Sequence, residues 1–450
     1  MKLIINNNQI IIKADSLFLT SIESAFIFDD YSYCFVGGKF DKNKIYKKKM
    51  LKIYNDIAYL PIGFLQTLLN YLNNNNIQFD YQDNRNYWQR VFNNEKIKTN
   101  LHYLELYDYQ VETVKSCIQS INGICQLPTS AGKTEIFLSL CNLLQIKTLI
   151  LFQRIDLAHQ TLKRAINAKL DSGIVQGNNI DENHQIVMTT VQSAHKLKDK
   201  YNMVIVDECH HASSNSYQEI LKRNDFIYRF GFSATPFTKD NYKNAKITQY
   251  IGSIIYKLKA DHLIEHKKIA EPIITIIPIN YPDNIFRKDW NEAEQTGIIE
   301  NDYRNNKIKD LVNNLTGQCL ILVKKIKQGK ILESLISDSY FLYGNAEIEN
   351  RKKLINEFEN KKIKCIIAST IFDEGISINI IQNLIIAGGG NSQIKAIQRL
   401  GRGLRISENK NTINVYDFLD KQNYITERHS QNRIKFYKHE GFTKIKLIGE

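Results

Sequence analysis

The 450-residue sequence predicts an α/β protein with two tandem domains, each a parallel sheet with flanking helices, preceded by a small α+β domain. Three observations carry this expectation. From about residue 101, apolar runs alternate with helical stretches, and runs such as TLILF (148–152) and MVIVDE (203–208) are apolar almost throughout, as strands covered on both faces must be. A chain of this length exceeds one hydrophobic core and suits two or three domains. The first hundred residues break the pattern: short β-like runs there are separated by Gly37-Gly38 and by a turn at Asn55-Asp56.

These signals place a small α+β domain at residues 1–95, a first parallel-sheet domain at 96–280 and a second at 281–450, with a hinge around 265–300. In the leading domain, residues 2–14 read as β and 16–29 as a helix. Pro61 opens a second helix whose apolar positions Ile62, Leu65, Leu68, Leu69 and Leu72 share one face, and NNNN (73–76) ends it. Lys42, Lys44, Lys47, Lys48, Lys49 and Lys52 lie beside Tyr46 and Tyr54. That composition suits backbone contacts to nucleic acid, and equally a sheet edge guarded by lysines. Trp88, with Tyr87 and Arg90, reads as a linker packing onto the next domain. In the last domain a helix is expected over 303–314, a strand at CLILV (319–323) and a helix over 327–337.

Composition narrows the partners. Lys and Arg total 60 against 47 Asp and Glu, a net charge of +13, so a polyanion is favoured, nucleic acid before a membrane surface. The N-terminus lacks the pattern of a secretory signal, and runs such as IITIIPI (273–279) are far too short to cross a bilayer. The expectation is a cytoplasmic protein, in the host cytoplasm if phage-encoded, acting as a monomer. Seven cysteines occur singly with no C-x-x-C pair, which fits reduced core thiols better than disulfides or zinc.

The chemistry centres on ICQLPTSAGKTEIFLSL (124–140), which reads strand, loop, helix. A polyphosphate needs converging N–H donors, a helix N-terminus and a mobile cation. Pro128, Thr129, Ser130, Ala131 and Gly132 form the loop, Lys133 supplies the charge, and the Thr134 hydroxyl suits a Mg²⁺ shell. Leu127 stands where the full phosphate-loop pattern has a glycine. The run ending in Asp207-Glu208-Cys209-His210 lies 74 residues after Lys133, counted to Asp207, and brings two carboxylates to the end of a buried strand, where open sheets hold ligands. Asp207 is suited to hold Mg²⁺, and Glu208 to orient and deprotonate an attacking water. His210 and His211 are adjacent on the chain and point apart, which argues against a metal pair.

Together these motifs resemble the superfamily 2 helicases and translocases, which implies two RecA-like domains, ATP and Mg²⁺. By that resemblance Gln110 in LYDYQ reads adenine, Ser233-Ala234-Thr235 links hydrolysis to strand movement, and His210 couples the ATP site to neighbouring motifs. LFQRIDLAHQ (151–160) and MTTVQS (188–193) imply backbone contacts from Arg154, Thr190 and Gln192. KCIIASTIFDEGISI (364–378) resembles the fifth motif, with Thr370 facing the strand and Asp373, Glu374 and Gly375 at the cleft. IQRLGRGLR (397–405) resembles the sixth, with Gln398, Arg402 and Arg405; an arginine there is expected to stabilise the charge built during phosphoryl transfer.

Within the superfamily the chain is most similar to the UvsW-like phage recombination helicases, through ERHSQNRIKFYKHEGF (427–442) and residues 37–65. The implied activity is ATP-dependent unwinding or branch migration of forked, branched or duplex DNA in recombination, repair or replication. RNA as substrate, or a nucleotide-gated scaffold with little turnover, are the alternatives the motifs leave open. The helicase resemblance covers roughly 101–450.

Overall fold

The computed structural model describes the chain apart from residues 32–34, 37–38, 41–44, 86–91, 129–130, 199, 224, 267–269, 281–288, 344–347, 370–379, 391–411, 440–441 and 449–450. It divides into two compact units, Met1–Leu127 with Gly132–Leu258, and Lys259–Glu450 with Pro128–Ala131.

The first unit begins with β1 (Lys2–Ile5), β2 (Gln9–Lys13), α1 (Ser16–Glu23), β3 (Ile27–Asp30), β4 (Phe35–Val36), β5 (Lys39–Phe40), β6 (Tyr46–Lys49), β7 (Lys52–Tyr54), β8 (Ile57–Pro61), α2 (Leu65–Asn74) and β9 (Asp80–Asp83). Five of the strands form a sheet in the order β7-β8-β2-β1-β9. Alternation decides its inner face. Leu3, Ile5, Ile10, Ile12, Ala58 and Leu60 point one way and are buried with Leu19, Ile22, Leu68 and Leu72 of the two helices. The helix expected over 16–29 stops at Glu23, because β3 pairs antiparallel with β6, Ile27 opposite Lys49. The expected lysine cluster is divided for the same reason. Lys47, Lys48 and Lys49 ride on the β3–β6 pair, whereas Lys52 lies on the edge strand of the five-stranded sheet. Lys42, Lys44, Tyr87, Trp88 and Arg90 lie outside the described residues.

The five-stranded sheet is docked on the larger sheet's helices and loops. Ala245 of the helix Asn241–Ile251 belongs to its core, and Gly63 packs so tightly that an added Cβ would stand 1.7 Å from the Thr248 carbonyl oxygen. The Asn8 amide donates to Asp225 at 2.8 Å, and buried Arg229 donates to the Asn8 side-chain oxygen.

That larger sheet has eight strands, β10 (Asn122–Gln126), β11 (Thr148–Phe152), β12 (Ser172–Gln176), β13 (Asn179–Ile180), β14 (Ile186–Thr190), β15 (Met203–Asp207), β16 (Tyr228–Ser233) and β17 (Ile254–Lys257). Its order is β13-β12-β14-β11-β15-β16-β10-β17, and every pairing is parallel except β12 with β13. Helix Asp108–Ser120 leads into β10, and helices Lys133–Leu144, Ile155–Asn167, Asn215–Arg223 and Asn241–Ile251 connect later strands. β11 is buried at every residue, as its unbroken apolar sequence requires.

The second unit carries a parallel seven-stranded sheet of β18 (Glu271–Ile279), β19 (Cys319–Leu322), β20 (Ser339–Leu342), β21 (Cys365–Ala368), β22 (Asn383–Ile386), β23 (Thr412–Asp420) and β24 (Ile445–Leu447), ordered β20-β21-β19-β22-β23-β18-β24. Here the structure departs from the expected boundary at residue 280. β18 runs beside β23 from Glu271 to Ile279 and so belongs to the second sheet. Two prolines disguise it as a non-strand. Pro272 and Pro278 sit outside the three residues, Ile274 to Ile276, that pair with β24, so their missing N–H groups cost no ladder bond on that side. Arg433 of the helix Tyr424–His439 is buried, with its Nε and Nη2 each 2.9 Å from an Asp417 oxygen, and Tyr437 donates to the same carboxylate at 2.7 Å. Six described cysteines are buried free thiols, with Cys117 and Cys125 sulfurs 3.4 Å apart. Among the described residues no helix is long and apolar enough to cross a membrane.

Candidate nucleotide site

The carboxyl ends of β10, β16 and β15 lie side by side, and each delivers one component of the site. β10 leads through Leu127 and Pro128 to Gly132, the residue before the helix Lys133–Leu144. Gly132 adopts φ 72°, ψ 40°, a left-handed conformation that glycine enters without strain. It also has no room for a side chain, since a Cβ would stand 2.3 Å from the Gln110 amide nitrogen. Gln110 is buried, and its side-chain oxygen accepts the Tyr107 N–H at 2.9 Å, which fixes the amide against the loop.

Lys133 opens the helix, and its Nζ lies 3.0 Å from Glu208 Oε1. Glu208 follows β15 in a left-handed conformation, φ 48° and ψ 54°, unusual for a side chain of its kind and a local strain held by its surroundings. β16 lies between the two parent strands and ends at Ser233, whose hydroxyl donates to Glu208 Oε2 at 3.3 Å. Ser233 Oγ also accepts the Thr235 N–H at 3.2 Å and stands 3.1 Å from His210 Nδ1, which is 3.4 Å from Glu208 Oε2. The Leu127 N–H donates to the Ser233 carbonyl at 3.1 Å, and the Gln126 amide to the Ala234 carbonyl at 3.3 Å. The SAT segment is thus bonded to both the strand feeding the loop and the acidic box.

Charges follow from this packing. Burial opposes a charged Lys133, yet Glu208 and Asp207 outweigh it and hold the ammonium above its ordinary value. Burial likewise opposes a charged Glu208, and Lys133 and His210 outweigh it, holding the carboxyl well below the usual range. Both groups are therefore ionised near neutrality.

Of the expected residues, Gln110, Gly132, Lys133, Thr134, Asp207 and Glu208 gather at the carboxyl edge of one sheet or at the helix N-terminus beside it. Pro128 and Ala131 are buried, with the Ala131 N–H donating to Pro128 O at 3.3 Å. Thr190 ends β14, and Arg154 and Gln192 follow the adjacent strands β11 and β14 on the same edge. Arg154 bonds Asp156 at 3.0 Å, Thr190 is buried with its hydroxyl 3.5 Å from Ser193 Oγ, and the Gln192 carbonyl is 2.7 Å from His195 Nδ1. Thr129, Ser130, Thr370, Asp373, Glu374, Gly375, Gln398, Arg402 and Arg405 lie outside the described residues. The rings of His210 and His211 stand 4.1 Å apart, nearer than an extended segment would hold them, because the segment Cys209–Ser213 forms a 3₁₀ turn.

Glu135 is a component the motifs alone do not single out. Its Oε1 bonds Arg164 at 2.6 Å, and its Oε2 lies 3.4 Å from where a Cβ on Gly132 would stand. A carboxylate at the third position of the helix, directly after Gly-Lys-Thr, is the signal that would have found it. For Mg²⁺, the Thr134 hydroxyl and the Asp207 carboxylate are the residues here that could hold it, being oxygen donors of the kind a hard cation takes. Among the described residues no three His, Cys, Asp or Glu side chains gather into a metal cage.

Residues 103–238 match the family described as Type III restriction enzyme, res subunit, and residues 304–407 match the Helicase conserved C-terminal domain. The chain is similar to a protein of Sulfurisphaera tokodaii named DNA 3'-5' translocase XPB2, 26% identical over 388 residues, 73% of this chain and 87% of the relative. It is also similar to the ATP-dependent DNA helicase uvsW of Enterobacteria phage T4, 26% identical over 392 residues, 76% of this chain and 77% of the relative. Among solved structures, a fragment of a putative HsdR subunit of a type I restriction enzyme from Vibrio vulnificus shares the fold, with a TM-score of 0.59 at 16% identity over 94% of this chain and 92% of that one.

Proposed function

We propose that the chain is a superfamily 2 helicase of the UvsW-like kind, an ATP-dependent DNA helicase or translocase of recombination and repair, which remodels forked and branched DNA with the nucleotide site built around Lys133 and Glu208. The observation that supports the reading is the linkage through Ser233, which touches the catalytic carboxylate and is bonded through its carbonyl to the strand that feeds the phosphate loop.

Lys133 has two suitors, Glu208 and the phosphates of ATP. When phosphates draw the ammonium away, Glu208 loses the nearest charge that lowers its basicity and becomes a better acceptor for the proton of the attacking water. Ser233 and His210 hold its other oxygen, so the carboxylate keeps its orientation as the lysine leaves. Mg²⁺ held by Thr134 and Asp207 would neutralise phosphate charge. Gln110, fixed against Gly132, is proposed to read adenine. Pro128, Thr129, Ser130 and Ala131 are proposed to cradle phosphate, and Asp373 and Gly375 to contribute to nucleotide binding. Gln398, Arg402 and Arg405 are proposed to stabilise transition-state charge. Arg154, Thr190, Gln192 and Thr370 are proposed to hold the nucleic-acid backbone without reading sequence.

The test compares ATP hydrolysis with single-stranded DNA, duplex, forked DNA, a four-way junction and RNA. Stimulation by forked or four-way DNA above RNA supports the reading. Equal or greater stimulation by RNA would move the assignment to an RNA helicase, and turnover unmoved by any nucleic acid would leave a nucleotide-gated scaffold.

A further inference from the structure

Strand register gives the leading five-stranded sheet a second face that the buried core does not use. Lys2 stands opposite Lys13, Lys13 opposite Ile57, and Ile57 opposite Tyr54; one step along, Ile4 faces Ile11, Ile11 faces Tyr59, and Tyr59 faces Lys52. These two rows lie on the side away from Leu3, Ile10, Ala58 and Leu60, since side chains alternate along a strand. Ile4, Ile11, Ile57 and Tyr59 are half-buried, Tyr54 is 62% exposed, and the Tyr54 and Tyr59 rings meet edge to face at 6.0 Å.

The charged side chains of the face are mostly basic. Lys2, Lys13 and Lys52 are exposed, and among the described residues none of them forms an ion pair. The acidic side chain of the face, Asp80, stands across from Lys2 on the edge strand β9. Like charges directly opposite on paired strands destabilise a sheet; Asp80 offsets this beside Lys2, while Lys13 faces Lys2 on one side and Ile57 on the other, with no acidic partner in register for a bound anion to compete with. Lys2, Lys13 and Tyr54 of the first row are exposed. The opposite end of the sheet, at the turn Asn6–Asn8, is the end docked on Asp225 and Arg229, so the lysine row lies at the far end of its strands.

We propose that this open face is a binding platform for single-stranded nucleic acid, in which Tyr54 and Tyr59 stack bases while Lys2, Lys13 and Lys52 hold phosphates. An aromatic ring standing among lysines is what unpaired bases and their backbone require, and a duplex hides its bases from such a ring. The inference rests on the reading of the chain as a DNA motor and deepens it by naming where a displaced strand is held. It differs from the lysine run of β6, which lies on the separate β3–β6 pair.

The test uses the full chain without nucleotide and a fluorescein-labelled oligothymidylate of about 20 nucleotides, followed by anisotropy across a salt series. Three variants are compared: Lys13→Glu with Lys52→Glu, Tyr59→Ala, and, as control, Lys47→Glu with Lys48→Glu on the hairpin. The double lysine variant should weaken binding at least about tenfold and flatten the log-log salt slope by roughly 0.7 per lost contact. Tyr59→Ala should weaken it by about tenfold at unchanged salt slope, while Tyr59→Phe, which keeps the ring, should bind as the parent does. Hydrolysis of ATP without DNA should be the same in all. Unchanged affinity in the face variants, or an equal loss in the hairpin control, overturns the proposal; unchanged affinity with lost self-association would assign the face to a second copy. If the parent chain shows DNA-stimulated hydrolysis and the face variants bind normally, the platform fails and the motor stands. If stimulation is absent yet the face variants lose binding, the motor reading fails and the platform stands.

Discussion

Lys133 Nζ lies 3.0 Å from Glu208 Oε1, across the single strand β16 that separates the strands leading to each residue. The ammonium that should grip phosphate is held by the carboxylate that should activate water. Lys133→Ala should therefore have two effects. Hydrolysis should fall by roughly 10²- to 10³-fold, as for other removed transition-state donors. Stability should also fall, by about 1–3 kcal/mol, because Glu208 is left as a charge without its ammonium. Adding Glu208→Gln should restore much of that loss in urea denaturation, whereas independent sites would show simple additivity.

The same pair sets a pH window. Glu208 is depressed in the folded state, so its contribution is present above its ordinary value of 4.5 and is lost as pH falls below it. Lys133 is raised, so its contribution is full below its ordinary 10.5 and is lost as pH climbs through the folded value. Thermal melts of the parent should therefore lose stability below about pH 4.5 more steeply than melts of the double Lys133→Ala, Glu208→Gln variant. Equal slopes would show that the pair does not set the acid limb.

Ser233→Ala should separate fuel use from movement. The variant keeps Lys133 and Glu208 but loses the hydroxyl that joins Glu208, His210 and the Thr235 N–H. DNA stimulation of hydrolysis should drop about tenfold, within the usual size of coupling between two sites, while hydrolysis without DNA changes less. A matched loss of both activities would make Ser233 a part of the chemistry alone.

Gly63→Ala tests the docking of the leading sheet. The new methyl would meet the Thr248 carbonyl, a backbone atom that cannot swing aside. A loss of about 1–3 kcal/mol or more is expected in chemical denaturation. A neutral result would mean that the sheet shifts freely on the helix Asn241–Ile251.

His429 offers a spectroscopic check in the second unit. Its ring lies 4.3 Å from that of Trp290, and burial, then Arg428, Arg433 and Lys324, lower its pKa to about 4. A histidine depressed in the folded state stays neutral at pH 7, and the stability this confers is lost as pH falls from its ordinary 6.5 towards 4. The protein has two tryptophans, so Trp88→Phe leaves Trp290 as the reporter. Its fluorescence should titrate with a midpoint near 4, and a midpoint at 6.5 would contradict the packing.

The nucleotide strands were legible because chemistry and hydrophobicity coincide there: an apolar run ends, and a glycine, lysine or carboxylate follows at the strand tip. Tertiary pairing was not. Ile27 and Phe28 look helical in continuation of residues 16–23 until β6 appears beside them. β18 reads as an isolated apolar run interrupted by prolines, and only β23 and the short β24 reveal it as an inner strand. Six lysines close in sequence suggested one stripe, yet a turn of a few residues sends Lys52 to another sheet. The bond between Asn8 and Arg229 spans 221 positions, and no local pattern encodes it.

The contact of Gly63 with Thr248 and of Ala245 with the leading core bears on how the protein can be divided. A fragment starting near residue 96 would retain the phosphate loop and the acidic box, yet it would bare Ala245 and the Thr248 carbonyl and take the Asn8 oxygen away from buried Arg229. Such a truncation would disturb the sheet that carries the site along with the domain it removes. The opening hundred residues are a bolted-on cover for the motor, not a detachable handle.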